Sequence, residues 1–301
     1  MPGDYTLRGD VSSQFVSGLL FALPLLDGDS TLTVLPPVES GSYIDLTLSV
    51  LQKAGIRIGE VTGPEGKQER ENGRAVLKNT AAAAKKTAHR TDESRYFRIP
   101  GRQNYKKILF RVEGDWSNGA YLFALNRLGG AVQVTGIDPK SLQGDRICLE
   151  LFDRLLPGIP CAEAAAEACT QKEIDLSDCP DLGPVLFALA AASGKGGSFT
   201  GIRRLRLKES DRVRAMAEEL EKFGIRAVTE ENRFSVLPGM LCRPEREPEG
   251  HNDHRIVMAL SLLCTLTGGT VRGAEAVGKS WPDFFSVLRS LGLTATEQYD
   301  T

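Results

Sequence analysis

Apolar and polar positions alternate along this chain in two periods, and the switches between them mark its elements. Val213, Met216, Ala217, Leu220 and Phe223 fall at i, i+3, i+4, i+7 and i+10, a one-sided stripe that predicts an amphipathic helix. Gly224 stands where that helix is expected to end in a left-handed residue. Ser210 is the expected N-cap, which puts Arg212 in the first turn and Lys208 and Glu209 in the loop ahead. Phe15 to Leu26 predicts an apolar helix, and Ile256 to Leu260 a helix apolar on nearly every side and therefore buried. Val185 to Ala192 predicts a helix of small residues.

The pattern repeats. A glycine opens a short β-rich run, and an amphipathic helix ending in a second glycine follows. Gly28 opens Ser30–Val34 and Gly55 closes the next helix. Gly130 opens Val132–Gly136, with Gly158 closing. Gly197 opens Ser198–Ile202, with Gly224 closing. Gly269 opens Thr270–Gly273, with Gly292 closing. The opening-to-closing spacings are 27, 28, 27 and 23 residues, which predicts repeated βαβ-type units in an α/β fold. Successive openings are 102, 67 and 72 residues apart. The first interval is about 30 too long, so an inserted, exposed and mobile loop is expected over 63–97, where a charged run precedes Ala81–Ala84 and a basic patch. Val112-Glu113-Gly114-Asp115 restarts the cadence, so the domains expected are 1–111 and 112–301.

Composition narrows the class. At 301 residues, 41% apolar and 25% charged, the chain can bury a large core in two domains. A net charge of −2 argues against nucleic-acid or anionic-membrane partners. No apolar run reaches membrane-spanning length and residues 1–20 lack a secretory pattern, so a cytoplasmic location is expected. Six cysteines without CxxC pairing read as reduced thiols. Four of them fall within 148–179, which leaves a metal site open, whereas three histidines speak against a His-based centre.

The candidate chemistry sits at helix starts. Lys208-Glu209-Ser210-Asp211-Arg212 places two cations and two carboxylates ahead of a helix. Arg212 is disfavoured by the helix dipole there, unless an anion docks at that end. Arg255 repeats the oddity in Asn252-Asp253-His254-Arg255, where Asp253 is the expected N-cap, and Lys279 precedes a third helix opened by Pro282. If the repeats share an axis, Arg212, Arg255 and Lys279 converge on a site for phosphate and carboxylate, with Glu209 and Asp181 as proton-transfer groups. Asp181, ahead of the small-residue helix, could equally cap it. Ser12-Ser13-Gln14 and Ser40 with Tyr43 precede helices of the same polar-then-apolar form; they suit a phosphate or polyol, and capping alone would also account for the serines. No phosphate-cradling Gly-rich loop suggests a nucleotide.

Taken together, Gly9-Asp10-Val11-Ser12-Ser13-Gln14-Phe15, Ser40 with Tyr43-Ile44-Asp45, Val112–Asp115, Pro180-Asp181, Lys208–Arg212, Asn252–Arg255 and Lys279–Phe284 closely resemble the 5-enolpyruvylshikimate-3-phosphate synthase (3-phosphoshikimate 1-carboxyvinyltransferase) family, in family order. The resemblance implies the enolpyruvyl transferase fold: two domains of βαβαββ units about a pseudo-threefold axis, here with the first incomplete. It implies transfer of the enolpyruvyl group of phosphoenolpyruvate to the 5-hydroxyl of shikimate 3-phosphate with release of phosphate, and neither metal nor organic cofactor. Carried over, Ser12, Ser13, Gln14, Ser40, Asp181 and Lys208 would bind shikimate 3-phosphate, with Tyr43 lining that site. Gln14, Arg212, Arg255 and Lys279 would hold phosphoenolpyruvate. Asp181 would accept the hydroxyl proton, and Glu209 would serve the methylene carbon.

Two departures from the family follow. Where it often has Asn four residues before the motif lysine, this chain has Arg204, which alters that substrate contact. Roughly the first third of the family chain, with its Lys-Ser…Arg and Gly-Asn-Ala-Gly-Thr motifs, has no counterpart. Either Met1 is a truncated or mis-called start, or that portion is on another polypeptide; the expectation is very low activity of this chain alone, with a separate N-terminal fragment as a candidate partner. The competing readings are the sister transferase that acts on UDP-N-acetylglucosamine, a non-catalytic fragment, and a repeat scaffold for protein partners.

Overall fold

The computed structural model describes residues 1–62, 92–156, 173–296 and 298. They form two compact units, Met1–Val112 with Lys140–Gly144, and Glu113–Pro139 with Asp145–Thr301. No helix among the described residues is long and apolar enough to cross a membrane.

The first unit is built on a four-stranded sheet. Strand β1 (Asp4–Arg8) leads through helix α1 (Ser13–Ala22) to β2 (Ser30–Leu35), parallel to β1. Helix α2 (Gly41–Lys53) follows, then β3 (Gly59–Thr62) and β4 (Arg95–Ile99), in the sheet order β1-β2-β4-β3. The only parallel pair, β1 and β2, is joined through a helix, because parallel neighbours need a crossover. Val16, Leu20, Leu32, Val34, Ile44, Leu48, Phe97 and Ile99 make the core.

Strand β4 corrects the expected loop over 63–97. Phe97 and Ile99 alternate inward, and the strand pairs with both β2 and β3, so residues 95–97 belong to the sheet. The remainder, 63–91, lies outside the described residues, as does Gly158.

The second unit contains the same arrangement. Strand β5 (Ile174–Asp175), helix α5 (Gly183–Ala192), β6 (Gly197–Thr200), helix α6 (Arg212–Lys222), β7 (Ala227–Thr229) and β8 (Arg233–Val236) give the order β5-β6-β8-β7. Again only the first two strands are parallel. Both sheets are therefore βαβαββ units with one strand order, the unit that the resemblance implies, and each contains the βαβ-type repeat that the glycine spacing predicts. Gly55, Gly224 and Gly292 all have positive φ, as helix-ending glycines should. The predicted stripe on α6 buries Val213, Met216 and Leu220.

Helix α5 is apolar on every side and buried along its length. Phe187 on α5 meets Phe199 of β6 at 4.9 Å and Phe234 of β8 at 4.2 Å, which fixes helix to sheet. Helices α3 (Trp116–Arg127), α4 (Cys148–Leu155) and α7 (His254–Thr267) join this core, and α8 (Phe284–Ser290) adds Phe284 and Leu288. Two predicted β runs differ. Val132–Gly136 is in no strand; its neighbourhood has the single backbone bond Gly114 N–H to Gly136 O, 2.9 Å. Thr270–Gly273 contributes one isolated bridge, Glu249 with Arg272. Alternation makes a strand only where a partner strand supplies the ladder. Of the cysteines, Cys148 and Cys179 are buried, and burial raises both thiols, Cys148 to about 12, so both stay protonated as packing groups. Cys161 and Cys169 lie outside the described residues.

Candidate active site

In the first unit, and for Asp181, Lys208, Glu209 and Arg212 in the second, the candidate side chains stand between a parallel strand and the first turn of the helix after it, the carboxyl edge where ligands of open α/β sheets gather. Arg255 instead opens α7, and Lys279 ends a 3-10 segment. In the first unit, Gly9 after β1 brings two such loops together. Its N–H donates to Leu35 O at 2.8 Å, and its Cα faces the 35–38 backbone so closely that an added Cβ would lie 2.8 Å from Leu35 O, Pro37 O and Val38 Cα. Only glycine fits there. The β1–α1 loop, with Ser12, Ser13 and Gln14, is thereby held against the β2–α2 loop that carries Ser40.

Ser12 caps α1, its Oγ accepting from Gln14 N–H at 3.2 Å. Ser13 is buried and Gln14 is exposed. Ser40 precedes α2 in a left-handed conformation, φ 54°, and accepts no capping bond from the helix. Tyr43 lies half-buried in the first turn of α2. The start of α2 is fixed by Arg95 of β4, whose guanidinium binds Asp45 and Glu60 at 2.6 Å each and donates to Gly41 O at 3.3 Å.

The second unit gathers charge. The Asp181 carboxylate, on the 3-10 turn Pro180–Leu182 after β5, takes Arg212 Nη1 at 2.9 Å, Lys208 Nζ at 3.2 Å and Arg255 Nη2 at 3.4 Å. Glu209 Oε2 accepts from Arg212 Nη2 at 2.7 Å. Asp253 takes Arg212 Nε at 2.8 Å on one oxygen, and its other oxygen caps α7 by accepting from Arg255 N–H at 2.9 Å. Arg212 is 1% exposed, so the cation is stable only because three carboxylates surround it. That resolves the oddity of a guanidinium at a helix start: the side chain turns back into a carboxylate cage. Arg255 also donates to Ser117 Oγ at 2.9 Å, and the Tyr121 hydroxyl donates to Arg255 O at 3.1 Å. Lys279 Nζ donates to Asn252 O at 2.6 Å and Asn252 Oδ1 at 2.7 Å. Arg204 is buried in the 3-10 turn Arg203–Leu207 leading to Lys208.

The field in this cluster is positive. Burial alone would raise the Asp181 carboxyl, but Arg255, Lys208 and Arg212 outweigh it and hold the group well below the usual carboxylate range. Asp253 is likewise lowered, with Arg212 overcoming burial. Burial and then Arg255 depress the His254 imidazole, leaving it neutral at pH 7.

Several sequence expectations are corrected. Asp211, not Ser210, caps α6, accepting from Arg214 N–H at 3.0 Å, because the Ser210 hydroxyl is engaged with Asp253 at 3.1 Å. Asp181 does not cap α5, because its carboxylate is committed to three cations. Lys279 ends the 3-10 segment Ala274–Lys279, and α8 starts at Phe284, after Pro282. Asp253 acts as more than a cap, and Ser117 and Asn252 were not singled out as partners of the cations. The Asn-Asp-His-Arg motif was the signal for Asp253 and Asn252; Ser117, far from it in sequence, gave none.

Comparison with known proteins places this geometry. A family model described as EPSP synthase (3-phosphoshikimate 1-carboxyvinyltransferase) matches residues 69–288. A 3-phosphoshikimate 1-carboxyvinyltransferase of Clostridium kluyveri is 38% identical over 297 residues, 96% of this chain and 62% of that protein. The one of Clostridium acetobutylicum is 35% identical over 294 residues, 96% of this chain and 61% of that protein. This chain thus spans about three fifths of the length of these relatives. Among solved structures, EPSP synthase from Acinetobacter baumannii superposes with a TM-score of 0.67 at 23% identity, over 98% of this chain and 63% of that one. The enolpyruvyl transferase NikO from Streptomyces tendae gives 0.56 at 16% identity, over 96% of this chain and 64% of that one. Those two likenesses establish the enolpyruvyl transferase fold. With the family model covering most of the chain and a relative 38% identical over 96% of it, the chain belongs to the EPSP synthase (3-phosphoshikimate 1-carboxyvinyltransferase) family.

Proposed function

We propose that this chain carries out enolpyruvyl transfer from phosphoenolpyruvate to the 5-hydroxyl of shikimate 3-phosphate, with release of phosphate. The observation that carries the reading is the cage around Asp181, where Arg212, Lys208 and Arg255 reach one carboxylate and Glu209 shares Arg212. Cations from separate stretches of chain, balanced by carboxylates, suit substrates that bring phosphate and carboxylate groups and move protons. Arg212, Arg255 and Lys279, with Gln14, hold phosphoenolpyruvate in this reading. Ser12, Ser13, Ser40, Tyr43, Arg204 and Lys208 hold shikimate 3-phosphate. The division into domains at 111/112 and a cytoplasmic location belong to the same proposal.

In the chemical step the 5-hydroxyl oxygen adds to C2 of phosphoenolpyruvate. Asp181 takes the hydroxyl proton and Glu209 supplies one to the methylene carbon, which becomes a methyl. Collapse then breaks the C2–O bond to phosphate as Glu209 recovers a proton from that methyl. Free Asp181 is a weak base, because its cations hold the carboxylate charged. Anionic substrates that engage those cations raise its basicity, which ties proton uptake to an occupied site.

The proposal extends to weak turnover by residues 1–301 alone and to a separate N-terminal fragment that completes the site. Thermal unfolding tests the substrate assignment. Shikimate 3-phosphate at about 100 times its Kd is expected to stabilise the chain complemented with the N-terminal fragment by about 2.7 kcal/mol, with UDP-N-acetylglucosamine having no effect. Protection by the UDP-sugar alone would overturn the reading.

A further inference from the structure

Glu219 lies on α6 two turns beyond Arg212, outside the substrate-facing set, yet its carboxylate is 1% exposed. It is heavily engaged. Lys222 Nζ donates to it at 2.8 Å, His251 Nε2 at 2.9 Å and Glu249 N–H at 2.8 Å. A buried carboxylate persists only with such partners, and two of these three come from the loop that runs into α7. In that loop His251 (φ 49°) and Asn252 (φ 53°) are both left-handed. Two consecutive non-glycine residues in that region need outside support. The turn has a clear consequence: Asn252 presents both its carbonyl and its Oδ1 to Lys279 Nζ, and Asp253, the next residue, caps α7 and binds Arg212.

We propose that Glu219 is a positioning residue, clamping the His251–Asn252 turn so that Asn252 holds Lys279 in place. Its importance for substrate rests on the assignment of Lys279 to phosphoenolpyruvate; its action on Lys279 does not. The buried carboxylate faces a cationic side chain, an imidazole and a main-chain donor at once, and a neutral residue loses the ion pair with Lys222. Without the clamp the left-handed turn relaxes, and the two oxygens leave Lys279.

The test uses the full chain with Glu219→Ala and the near-isosteric Glu219→Gln, the latter carrying the test should the alanine variant not fold. Reductive methylation with formaldehyde, mapped lysine by lysine by mass spectrometry, reads how firmly each ammonium is held. Lys279 should label at least about threefold faster in either variant, and faster than the parent in Asn252→Gly, and the double variant Glu219→Gln/Asn252→Gly should label no faster than the faster of its two single variants. Lys195, on an exposed turn, serves as the unchanged reference. Calorimetric titration with phosphoenolpyruvate should show affinity reduced by about threefold or more, non-additively with Lys279→Ala. An unchanged Lys279 labelling rate in folded variants, or an additive double variant, overturns the positioning role and leaves Glu219 a structural staple. Altered labelling with no phosphoenolpyruvate binding by the parent chain, even when mixed with the N-terminal segment of the Clostridium kluyveri relative, upholds the positioning role and overturns the ligand assignment.

Discussion

Asp253→Asn is the most informative single change, because Asp253 is 0% exposed and is the carboxylate bound to Arg212 Nε. The asparagine oxygen can still accept from Arg255 N–H, but its amide nitrogen then faces the Arg212 Nε–H, donor against donor. Removing one partner of a buried ion pair costs about 3–5 kcal/mol. Trp116 and Trp281 both lie in the second unit, so their fluorescence during urea titration follows its unfolding. With a slope of about 2–3 kcal/mol per molar urea, the midpoint should fall by about 1–2 M. Glu231→Gln is the control: it breaks a pair with Arg203 in which both side chains are exposed, and should move the midpoint by less than about 0.2 M. The acid limb has a definite sign. Asp253 is held below its unfolded value, so its contribution is present above about pH 4 and is lost as pH falls through the folded value. The variant's deficit should therefore shrink in acid. A midpoint within about 0.3 M of the parent at pH 7 would refute the view that Arg212 depends on a closed carboxylate cage.

Glu209→Gln should separate binding from chemistry. It removes the ion pair at Arg212 Nη2, now 2.7 Å from Glu209 and 3.3 Å from Asp253 Oδ1, so phosphoenolpyruvate affinity should rise while turnover of the complemented enzyme falls by about a hundredfold or more. Weaker binding would instead make Glu209 an orienting partner of Arg212. His254, lowered by burial and then by Arg255, binds its proton later in the folded chain than in the unfolded one. Thermal stability should therefore decline as pH drops through about 6.5, and His254→Gln should flatten that decline between about pH 7.5 and 5.

What could be read from the sequence was local. The stripe ending at Gly224 marked helix α6, and two of the four glycine-opened runs, Ser30–Val34 and Ser198–Ile202, coincide with strands of the two sheets. Partner choice was not local. Ser210 and Asp211 are adjacent and both good caps; the decision lay with Asp253, whose carboxylate occupies the Ser210 hydroxyl from 43 residues away. Arg95 followed a long charged run and looked like more of it, but Asp45 and Glu60 supply the charge that lets it sit in a sheet. Val132–Gly136 alternates as a strand would, and no described strand pairs with it. Arg212 and Arg255 do stand in the first turns of α6 and α7 and Lys279 does not precede α8 directly, but the cage that satisfies the two arginines draws on Asp181, Asp253 and Ser117, and only folding brings those together.

Phosphate release tests the central claim most directly: the chain is mixed with the N-terminal segment of the Clostridium kluyveri relative and given phosphoenolpyruvate and shikimate 3-phosphate. The expected result is turnover that needs both polypeptides and both substrates, and that falls by about a hundredfold or more with Asp181→Asn. Absence of phosphate release from a mixture in which both polypeptides are folded, or release undiminished by Asp181→Asn, would contradict the account.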